Sequence, residues 1–352
     1  MSFGKTRVLV VDDSAIFRRF ISNTLATDPA IEVVGAAADP YEARDMILQL
    51  KPNVLTLDIE MPKMDGITFL KILSTQHPVP AVVFSSLSAQ GSQYALQALE
   101  AGAVDVLAKP SGGTFSADLA RELISKVKAA AGSTRIARPA PPSPLGVYAS
   151  AINNSRPGQI ILIGSSTGGT EALKDILPVL PPNLPPICIV QHIPAGYSAA
   201  LAKRLNELSK LEVREAVDGE PLERGKVLIA PGDLHMVLVK RGADGYGVRL
   251  KQGPKVNQCR PSVDVLFESA TPLVGNKAVA GILTGMGEDG ARGLLALRNA
   301  GSKTFAQDEK TCVVYGMPRK AFEAGGVQKQ VALGDIATHI VKCVAGTAAQ
   351  AR

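Results

Sequence analysis

The chain has 352 residues, 46% of them hydrophobic and 20% charged, which is typical of a globular protein long enough for two domains. No apolar run approaches the roughly 20 residues of a membrane-spanning helix, so we expect a protein that is not inserted into a membrane. The charge is uneven: residues 1–130 carry 12 basic and 14 acidic side chains, for −2, and the remainder carries 26 and 18, for +8. The cysteines form no CxxC pair, which favours a reducing, cytoplasmic location; they are Cys188, Cys259, Cys312 and Cys343.

Short apolar runs alternate with helical patterns in the first 130 residues. The run "RVLVVDD" predicts a buried strand, and the apolar spacing in "AIFRRFISNTLATD" predicts a helix after it. The segments "NVLTLDI", "AVVFSS" and "DVLAKP" predict further strands, separated by helical patterns such as "ITFLKILST" and "ALQALEAG". This alternation predicts an α/β fold with a doubly wound parallel sheet, in which functional residues gather outside the carboxyl ends of the strands.

Polar residues of three chemical types fall at these predicted strand ends. Asp12 and Asp13 end the first strand, Asp58 ends "VLTLD", Ser85 follows "AVVF" and Lys109 follows "DVLA". Carboxylates that face one another repel unless a cation joins them, and hard oxygen ligands select Mg²⁺. A carboxylate in such a cluster can accept a phosphoryl group, with the lysine pairing with the phosphate and the serine donating to it. Alternatively, these polar residues are ordinary solvated loop residues that form no shared site.

Four ordered motifs, "VLVVDDS", "TLDIEMPKMDG", "VVFSS" and "AKP", resemble the receiver domain of bacterial two-component response regulators over about residues 1–125. The resemblance implies that Asp58 is the phosphoacceptor, that a histidine kinase is the phosphodonor, and that Ser85 and Lys109 are the switch residues. Val106 departs from the pattern, because many receivers have an aromatic switch residue there. The resemblance also implies a Mg²⁺ site, held by Asp13, Asp58 and the main-chain oxygen of Glu60 and supported by Asp12.

Residues 135–159 are rich in proline, serine and alanine and lack apolar periodicity, which predicts a linker. We therefore expect a first domain over 1–130, a linker over 131–157 and a second domain over 158–347. Strand–helix alternation resumes with "IILI", "ICIVQH" and "AVAGILTGMGEDGARGLLALR". The second domain is accordingly predicted to be a doubly wound, Rossmann-like, three-layer α/β unit with a mostly parallel sheet.

The segment "IGSSTGGT" is the most informative loop of the second half. It lacks the lysine of a Walker A loop and the spacing of a dinucleotide-binding loop. Gly164 to Gly168 match G-x-S-x-G, in which a sharp strand-to-helix turn exposes a nucleophilic serine, here Ser166. Glycine and serine are also common in plain turns, so the match alone does not distinguish a nucleophile from a turn.

A serine nucleophile needs a histidine base and an acid that orients it. His192 is favoured as the base because it ends "ICIVQH" at a strand terminus, as Ser166 does; His235 is the second candidate. Asp289 is favoured as the acid because it lies in a glycine-rich loop after a predicted strand. The other candidates for the acid are Asp233 and Asp308.

The motifs "IGSSTGGT", "VQHIPAGY", "APGDLHM", "RPSVDVLFES" and "LTGMGEDGA" resemble the catalytic domain of chemotaxis protein-glutamate methylesterases. The resemblance implies hydrolysis of glutamate methyl esters on the cytoplasmic helices of chemoreceptors and, in some members, deamidation of receptor glutamines. It assigns Ser166 as nucleophile, His192 as base and Asp289 as orienter, with no cofactor in this domain. Glu288 departs from the pattern, where an amide is expected. The implied supporting residues are Thr167 and Met286.

Two other functions are compatible with parts of the sequence. A DNA-binding response regulator would need a helix-turn-helix, but strand–helix alternation continues to the end, so we expect no nucleic-acid partner. A non-enzymatic adaptor could look similar, except that it could lack Ser166 or His192, and both are present. The positive second half would suit acidic receptor helices or would serve solubility alone.

Overall fold

The computed structural model describes residues 4–110, 115–133, 156–242 and 245–349. The chain divides into two compact units, residues 1–133 and 134–352. Most of the predicted linker, residues 134–155, lies outside the described residues. Within the described residues, no helix is both long enough and apolar enough to cross a membrane.

The first unit alternates strands and helices, as its sequence pattern predicts. Its elements are β1 Thr6–Val11, α1 Ala15–Ala26, β2 Ile31–Ala37, α2 Pro40–Leu50, β3 Val54–Asp58, α3 Gly66–Gln76, β4 Ala81–Ser85, α4 Ala89–Glu100, β5 Asp105–Ala108 and α5 Ala117–Ala131.

These strands form a parallel sheet with the order β2-β1-β3-β4-β5. β3 and β4 in the middle of the sheet are buried along their whole length, which explains their nearly continuous apolar runs. Ser14 ends the first strand–helix loop by capping α1, because its hydroxyl accepts from the amide of Phe17. The strand order reverses between β1 and β3, so the loops after these two strands diverge and leave a crevice between them.

The second unit contains a larger parallel sheet and a hairpin. Its elements are β6 Ile160–Ser165, α6 Gly169–Ile176, β7 Ile187–Gln191, α7 Tyr197–Leu208, β8 Glu212–Glu215, β9 Lys226–Ile229, β10 His235–Arg241, β11 Gly245–Lys251, α8 Val263–Val274, β12 Ala278–Ile282, α9 Ala291–Asn299, β13 Lys303–Gln307, α10 Met317–Glu323, β14 Lys329–Val331 and α11 Leu333–Ala349.

Seven of these strands form a parallel sheet with the order β14-β13-β12-β6-β7-β9-β8, and β10 pairs with β11 in an antiparallel hairpin. The chain begins in the centre with β6, extends to one side through β7, and later returns to the other side of β6 with β12. The switch point of this sheet therefore lies between β6 and β12. The predicted fold class, two α/β units built on mostly parallel sheets, is confirmed.

A glycine in the second sheet leaves room for the aromatic side chain of the neighbouring strand. Gly281 of β12 pairs with Phe305 of β13, and a Cβ added at Gly281 would lie 2.1 Å from the phenyl Cζ. Gly346 of α11 is a matched control, since a Cβ there meets nothing within 4 Å.

We predict that Gly281→Ala destabilises the second unit by roughly 1–3 kcal/mol, because the buried ring cannot move without displacing the core. Gly346→Ala should be neutral or stabilising by up to about 1 kcal/mol, as expected for alanine in a helix. Calorimetry of both variants, read at the transition of the second unit, checks this. Equal shifts for the two variants would contradict the packing argument.

Candidate functional site

The loop after β6 is a tight elbow between a strand and a helix, in which both main-chain polar groups of Ser166 are hydrogen-bonded. The Ser166 amide donates to the carbonyl of Thr284 at 3.0 Å, and its carbonyl accepts from the amide of Gly169 at 2.7 Å and from Gln191 Nε2 at 2.9 Å. Gly168 has a φ of 78°, in the left-handed region that favours glycine. The half-buried Ser166 side chain therefore projects from a rigid turn between a strand and a helix, as the G-x-S-x-G match predicts.

His192 leaves the sheet beside this elbow. Ser165 pairs with Gln191 in the parallel register of β6 and β7, and the His192 amide donates to the Ser165 carbonyl at 2.9 Å. Ser166 and His192 thus follow neighbouring strand ends. In the described part of the chain, no hydrogen bond joins Ser166 Oγ to the imidazole; such bonds often tighten only when substrate binds.

Asp289 lies in the loop after β12, on the other side of β6, and is 2% exposed. Its carboxylate accepts hydrogen bonds from His192 Nε2 at 2.8 Å, Ser262 Oγ at 2.7 Å, Asn257 Nδ2 at 2.9 Å and the Val263 amide at 2.6 Å. Val263 is the first residue of α8, so the carboxylate sits at the positive end of that helix. Burial acts to raise the pKa of Asp289, but these hydrogen bonds and the imidazole lower it on balance, which keeps the carboxylate ionised.

The contact between Asp289 and His192 also determines which imidazole nitrogen is available to accept a proton. The Asp289 carboxylate can only accept, so in the neutral ring Nε2 of His192 carries the proton and Nδ1 keeps its lone pair. Nδ1 lies 3.5 Å from Cys259 Sγ, and the ring is 12% exposed. Burial acts to lower the pKa of His192, but the Cys259 sulfur and the Asp289 carboxylate outweigh it and hold the pKa above its usual value. In its neutral form the imidazole is therefore a stronger base than ordinary histidine, with Nδ1 as the atom that can take a proton.

The loop between β12 and α9 packs against the nucleophile. A Cβ added at Gly285 would lie 2.7 Å from Ser166 Cβ. Thr284 Oγ1 donates to the carbonyl of Thr167 at 2.9 Å, and Thr167 is buried. Met286 is half-buried in the same loop. Both residues predicted to support the site therefore lie next to the elbow or within the loop that touches it.

The alternative residues have other contacts. His235 is buried, with Nε2 donating to the carbonyl of Pro254 at 2.9 Å and Nδ1 accepting from the Ser262 amide at 3.2 Å, so both nitrogens serve the main chain. Asp233 pairs with Arg260 at 2.6 Å. Asp308 accepts from the amide of Thr311 at 3.1 Å and caps a short helical turn. These three side chains are thus engaged with groups other than Ser166, and the imidazole–carboxylate pair beside the elbow is formed by His192 and Asp289.

Sequence reasoning missed three residues of this site: Ser262, Asn257 and Cys259. Ser262 had a usable signal, since a serine directly before the apolar pattern "VDVLF" is typical of a helix N-cap, and it caps α8 here. Asn257 and Cys259 lie in an irregular loop 32 and 67 residues along the chain from their partners Asp289 and His192, with no local pattern to reveal them.

The first unit brings its predicted acidic residues together at the β1–β3 switch point. Asp12 and Asp58 are buried, and Lys109 Nζ lies 3.0 Å from Asp12 Oδ2 and 2.6 Å from Asp58 Oδ2. Among the described residues, neither Oδ2 has a well-directed hydrogen bond. Burial raises the pKa of Asp58 to about 6, although Lys109 opposes the shift. The single positive charge of Lys109 therefore does not balance the negative charges of the two buried carboxylates.

Oxygen atoms of Asp12, Asp13 and Asp58 lie within 4.8 Å of one another, so the three residues fit a small hard cation such as Mg²⁺. The Glu60 amide donates to Asp58 Oδ1 at 3.1 Å, which brings the Glu60 main chain beside the cluster. The buried Ser85 hydroxyl donates to the carbonyl of Gly91 in α4 at 2.8 Å.

Comparison with known proteins identifies a family for each of the two units. Residues 161–340 match the CheB methylesterase family, and residues 8–115 match the response regulator receiver domain. Protein-glutamate methylesterase/protein-glutamine glutaminase 2 of Syntrophus aciditrophicus is 48% identical over 347 residues, covering 97% of this chain and all of that protein. Protein-glutamate methylesterase/protein-glutamine glutaminase 1 of Caulobacter vibrioides is 50% identical over 339 residues, covering 96% of this chain and 98% of that protein.

A solved structure agrees as well. The crystal structure of the Thermotoga maritima CheB methylesterase catalytic domain is 41% identical, with a TM-score of 0.52, and covers 53% of this chain and 99% of that chain. The relatives above extend across both units, from the carboxylate cluster to the Ser166 elbow. The chain therefore belongs to the CheB methylesterase family, and its first unit contains a response regulator receiver domain.

Proposed function

We propose that this protein-glutamate methylesterase hydrolyses glutamate methyl esters on chemoreceptor helices with Ser166 as the nucleophile, His192 as the base and Asp289 as the orienting acid. The observation that carries the assignment is the 2.8 Å contact between His192 Nε2 and the buried Asp289 carboxylate, beside the Ser166 elbow. A nucleophile, a base and an acid held on three neighbouring strands are the parts that acyl transfer through a serine needs.

The reaction follows from the hydrogen-bond pattern. Ser166 Oγ attacks the ester carbonyl while Nδ1 of His192 takes the hydroxyl proton. Asp289 stabilises the imidazolium through Nε2, and the imidazolium returns the proton to the departing methoxide, so methanol leaves. Water then attacks the acyl-enzyme with the same base, which releases a glutamate carboxylate and restores Ser166.

The same groups are suited to glutamine deamidation, the second activity in the names of the relatives above. Attack on the amide carbonyl gives the same acyl-enzyme, with ammonia as the leaving group. Ammonia leaves only after protonation, and the raised pKa of His192 makes its imidazolium a weaker acid. We therefore expect the ester to be the faster substrate.

The receiver site supplies the regulation. We propose that Asp58 accepts a phosphoryl group from a histidine kinase, with Asp12, Asp13, Asp58 and the Glu60 main chain as the Mg²⁺ site. When bound, Mg²⁺ would neutralise the charge that gathers on the phosphoryl oxygens. Lys109 is already in contact with the acceptor carboxylate and would pair with the phosphate.

The switch residue Ser85 already makes a hydrogen bond in the unphosphorylated receiver. Ser85 donates to the carbonyl of Gly91 in α4, so a hydroxyl that turns to a phosphate on Asp58 must give up this contact. Loss of that bond would release the first turn of α4, while the buried Val106 offers no ring or hydroxyl to relay the change. We further propose domain limits of 1–130 and 158–347, action in the cytoplasm, and restraint of catalysis by the receiver until Asp58 is phosphorylated.

We predict that Ser166→Ala lowers methanol release from methylated receptor by several orders of magnitude while the protein stays folded, because the nucleophile is lost. Ser209→Ala, at the end of α7, is a matched control that should keep full activity. Methanol release and thermal unfolding of both variants are measured together. Activity of Ser166→Ala within tenfold of wild type would show that another group is the nucleophile.

We predict that His192→Ala is far more damaging to catalysis than His235→Ala, since His235 bonds the main chain with both nitrogens. His235→Ala should instead lower stability by roughly 1–3 kcal/mol, because its buried partners lose their hydrogen bonds. The measurements are kcat/KM and the unfolding midpoint for each variant. A greater catalytic loss for His235→Ala would make our assignment of the base wrong.

We predict that a small-molecule phosphodonor stimulates the wild type but leaves Asp58→Asn at its low basal rate, since the amide cannot accept the phosphoryl group. Asp45→Asn, an exposed residue of α2 paired with Arg44, should respond as wild type does. Acid-labile incorporation of phosphate, measured beside methanol release, separates loss of phosphorylation from loss of signalling. Stimulation of Asp58→Asn would place the acceptor elsewhere.

A further inference from the structure

We propose that His192 and Cys259 form an inhibitory binding site for a thiophilic divalent cation, of which Zn²⁺ is the representative. The site would lie within the active site described above and rests on the assignment of His192 as the base. The cluster contains a thiol, an imidazole and a carboxylate, whose ligand atoms lie within 4.8 Å of one another.

The spacing of the two proposed ligands suits tetrahedral zinc. Bonds of about 2.3 Å to sulfur and about 2.0 Å to nitrogen at a tetrahedral angle place the two ligand atoms about 3.5 Å apart. The distance between Cys259 Sγ and His192 Nδ1 is 3.5 Å. A cation could therefore replace the thiol proton between these atoms with little movement of either side chain.

The surroundings complete the arrangement of a metal-binding histidine. Asp289 accepts from the opposite nitrogen, Nε2, at 2.8 Å, which is the carboxylate–histidine pairing that orients imidazoles toward zinc. Arg260, the residue after Cys259 in the chain, pairs with Asp233 at 2.6 Å. Cys259 and His192 are both part-exposed, so water could fill the remaining coordination positions.

A second thiol–imidazole pair in the same unit serves as a comparison. Cys343 Sγ lies 3.5 Å from His339 Nε2 within α11, the same spacing. Among the described residues, His192 and Cys259 form a group of three possible metal ligands with Asp289, whereas Cys343 and His339 belong to no such group. A cation should therefore bind at Cys259 and avoid Cys343.

The ligand types predict which metals bind. Thiolate and imidazole select Zn²⁺ and Cd²⁺, whereas the all-carboxylate cluster at Asp12, Asp13 and Asp58 suits Mg²⁺. Zinc binding would displace the Cys259 thiol proton and occupy the lone pair of Nδ1. His192 could then no longer accept the proton of Ser166, so ester hydrolysis would stop until the metal was removed.

The test measures methanol release by the full chain at increasing Zn²⁺, with and without EDTA, for the wild type, Cys259→Ser and Cys343→Ser. We expect Zn²⁺ to inhibit the wild type and Cys343→Ser equally, EDTA to restore both, and Mg²⁺ to have no inhibitory effect. Loss of the sulfur ligand should raise the Zn²⁺ concentration for half-inhibition by at least about tenfold in Cys259→Ser. Each variant is normalised to its own rate without metal.

Two readouts are independent of catalysis, and the second needs only the wild type. Cd²⁺ should give a thiolate charge-transfer absorption in the wild type and in Cys343→Ser that is absent from Cys259→Ser. In the wild type, Zn²⁺ should protect Cys259 from iodoacetamide, as seen by peptide mass spectrometry. Equal zinc sensitivity of Cys259→Ser and wild type, or unchanged alkylation of Cys259 with Zn²⁺, would overturn the proposal. If Ser166→Ala kept its activity while Zn²⁺ still protected Cys259, the metal site would stand and the catalytic assignment would not.

Discussion

The catalytic half of this protein depends on one buried charge, the carboxylate of Asp289. An isolated carboxylate would be costly to bury, but His192 Nε2, three donors from α8 and the loop before it, and the N-terminus of α8 stabilise it. The donors from α8 and its preceding loop hold the carboxylate independently of the imidazole. His192 is consequently oriented with Nε2 toward the carboxylate, and Nδ1 is the nitrogen that our proposal makes the base.

Both sites lie where their parallel sheets change direction. In the first unit, Asp12 follows β1 and Asp58 ends β3; in the second, Ser166 and Asp289 follow β6 and β12. Loops that diverge from adjacent strand ends leave a crevice, so short side chains can meet there without filling the core. On our proposal the shared topology serves two chemistries, phosphoryl acceptance by carboxylates and acyl transfer by a serine, which are set by the side chains at the strand ends.

The positions that could be predicted from the sequence are those fixed by the strands themselves. Ser166, His192 and Asp58 stand directly at strand ends, where an apolar run stops at a polar residue, and this signal is local. The partners of Asp289 could not be predicted in this way, because Ser262 and Asn257 reach it only after the chain has folded α8 against the β12 loop. The orientation of the imidazole ring and the bond from Ser85 to α4 depend likewise on packing, which sequence periodicity does not encode.

On our proposals, the groups around His192 that favour a proton on its ring would also favour a metal cation that competes with the proton. Negative charge behind Nε2 and a sulfur beside Nδ1 favour a proton on the ring, and on our proposal they would also favour a thiophilic metal cation. Mg²⁺, for which we propose the carboxylate cluster of the receiver, would not compete, because it prefers hard oxygen ligands and is reluctant to lose its water. On these proposals one chain would use a divalent cation for phosphorylation and keep its nucleophile active, since the two clusters differ in ligand chemistry rather than in charge alone.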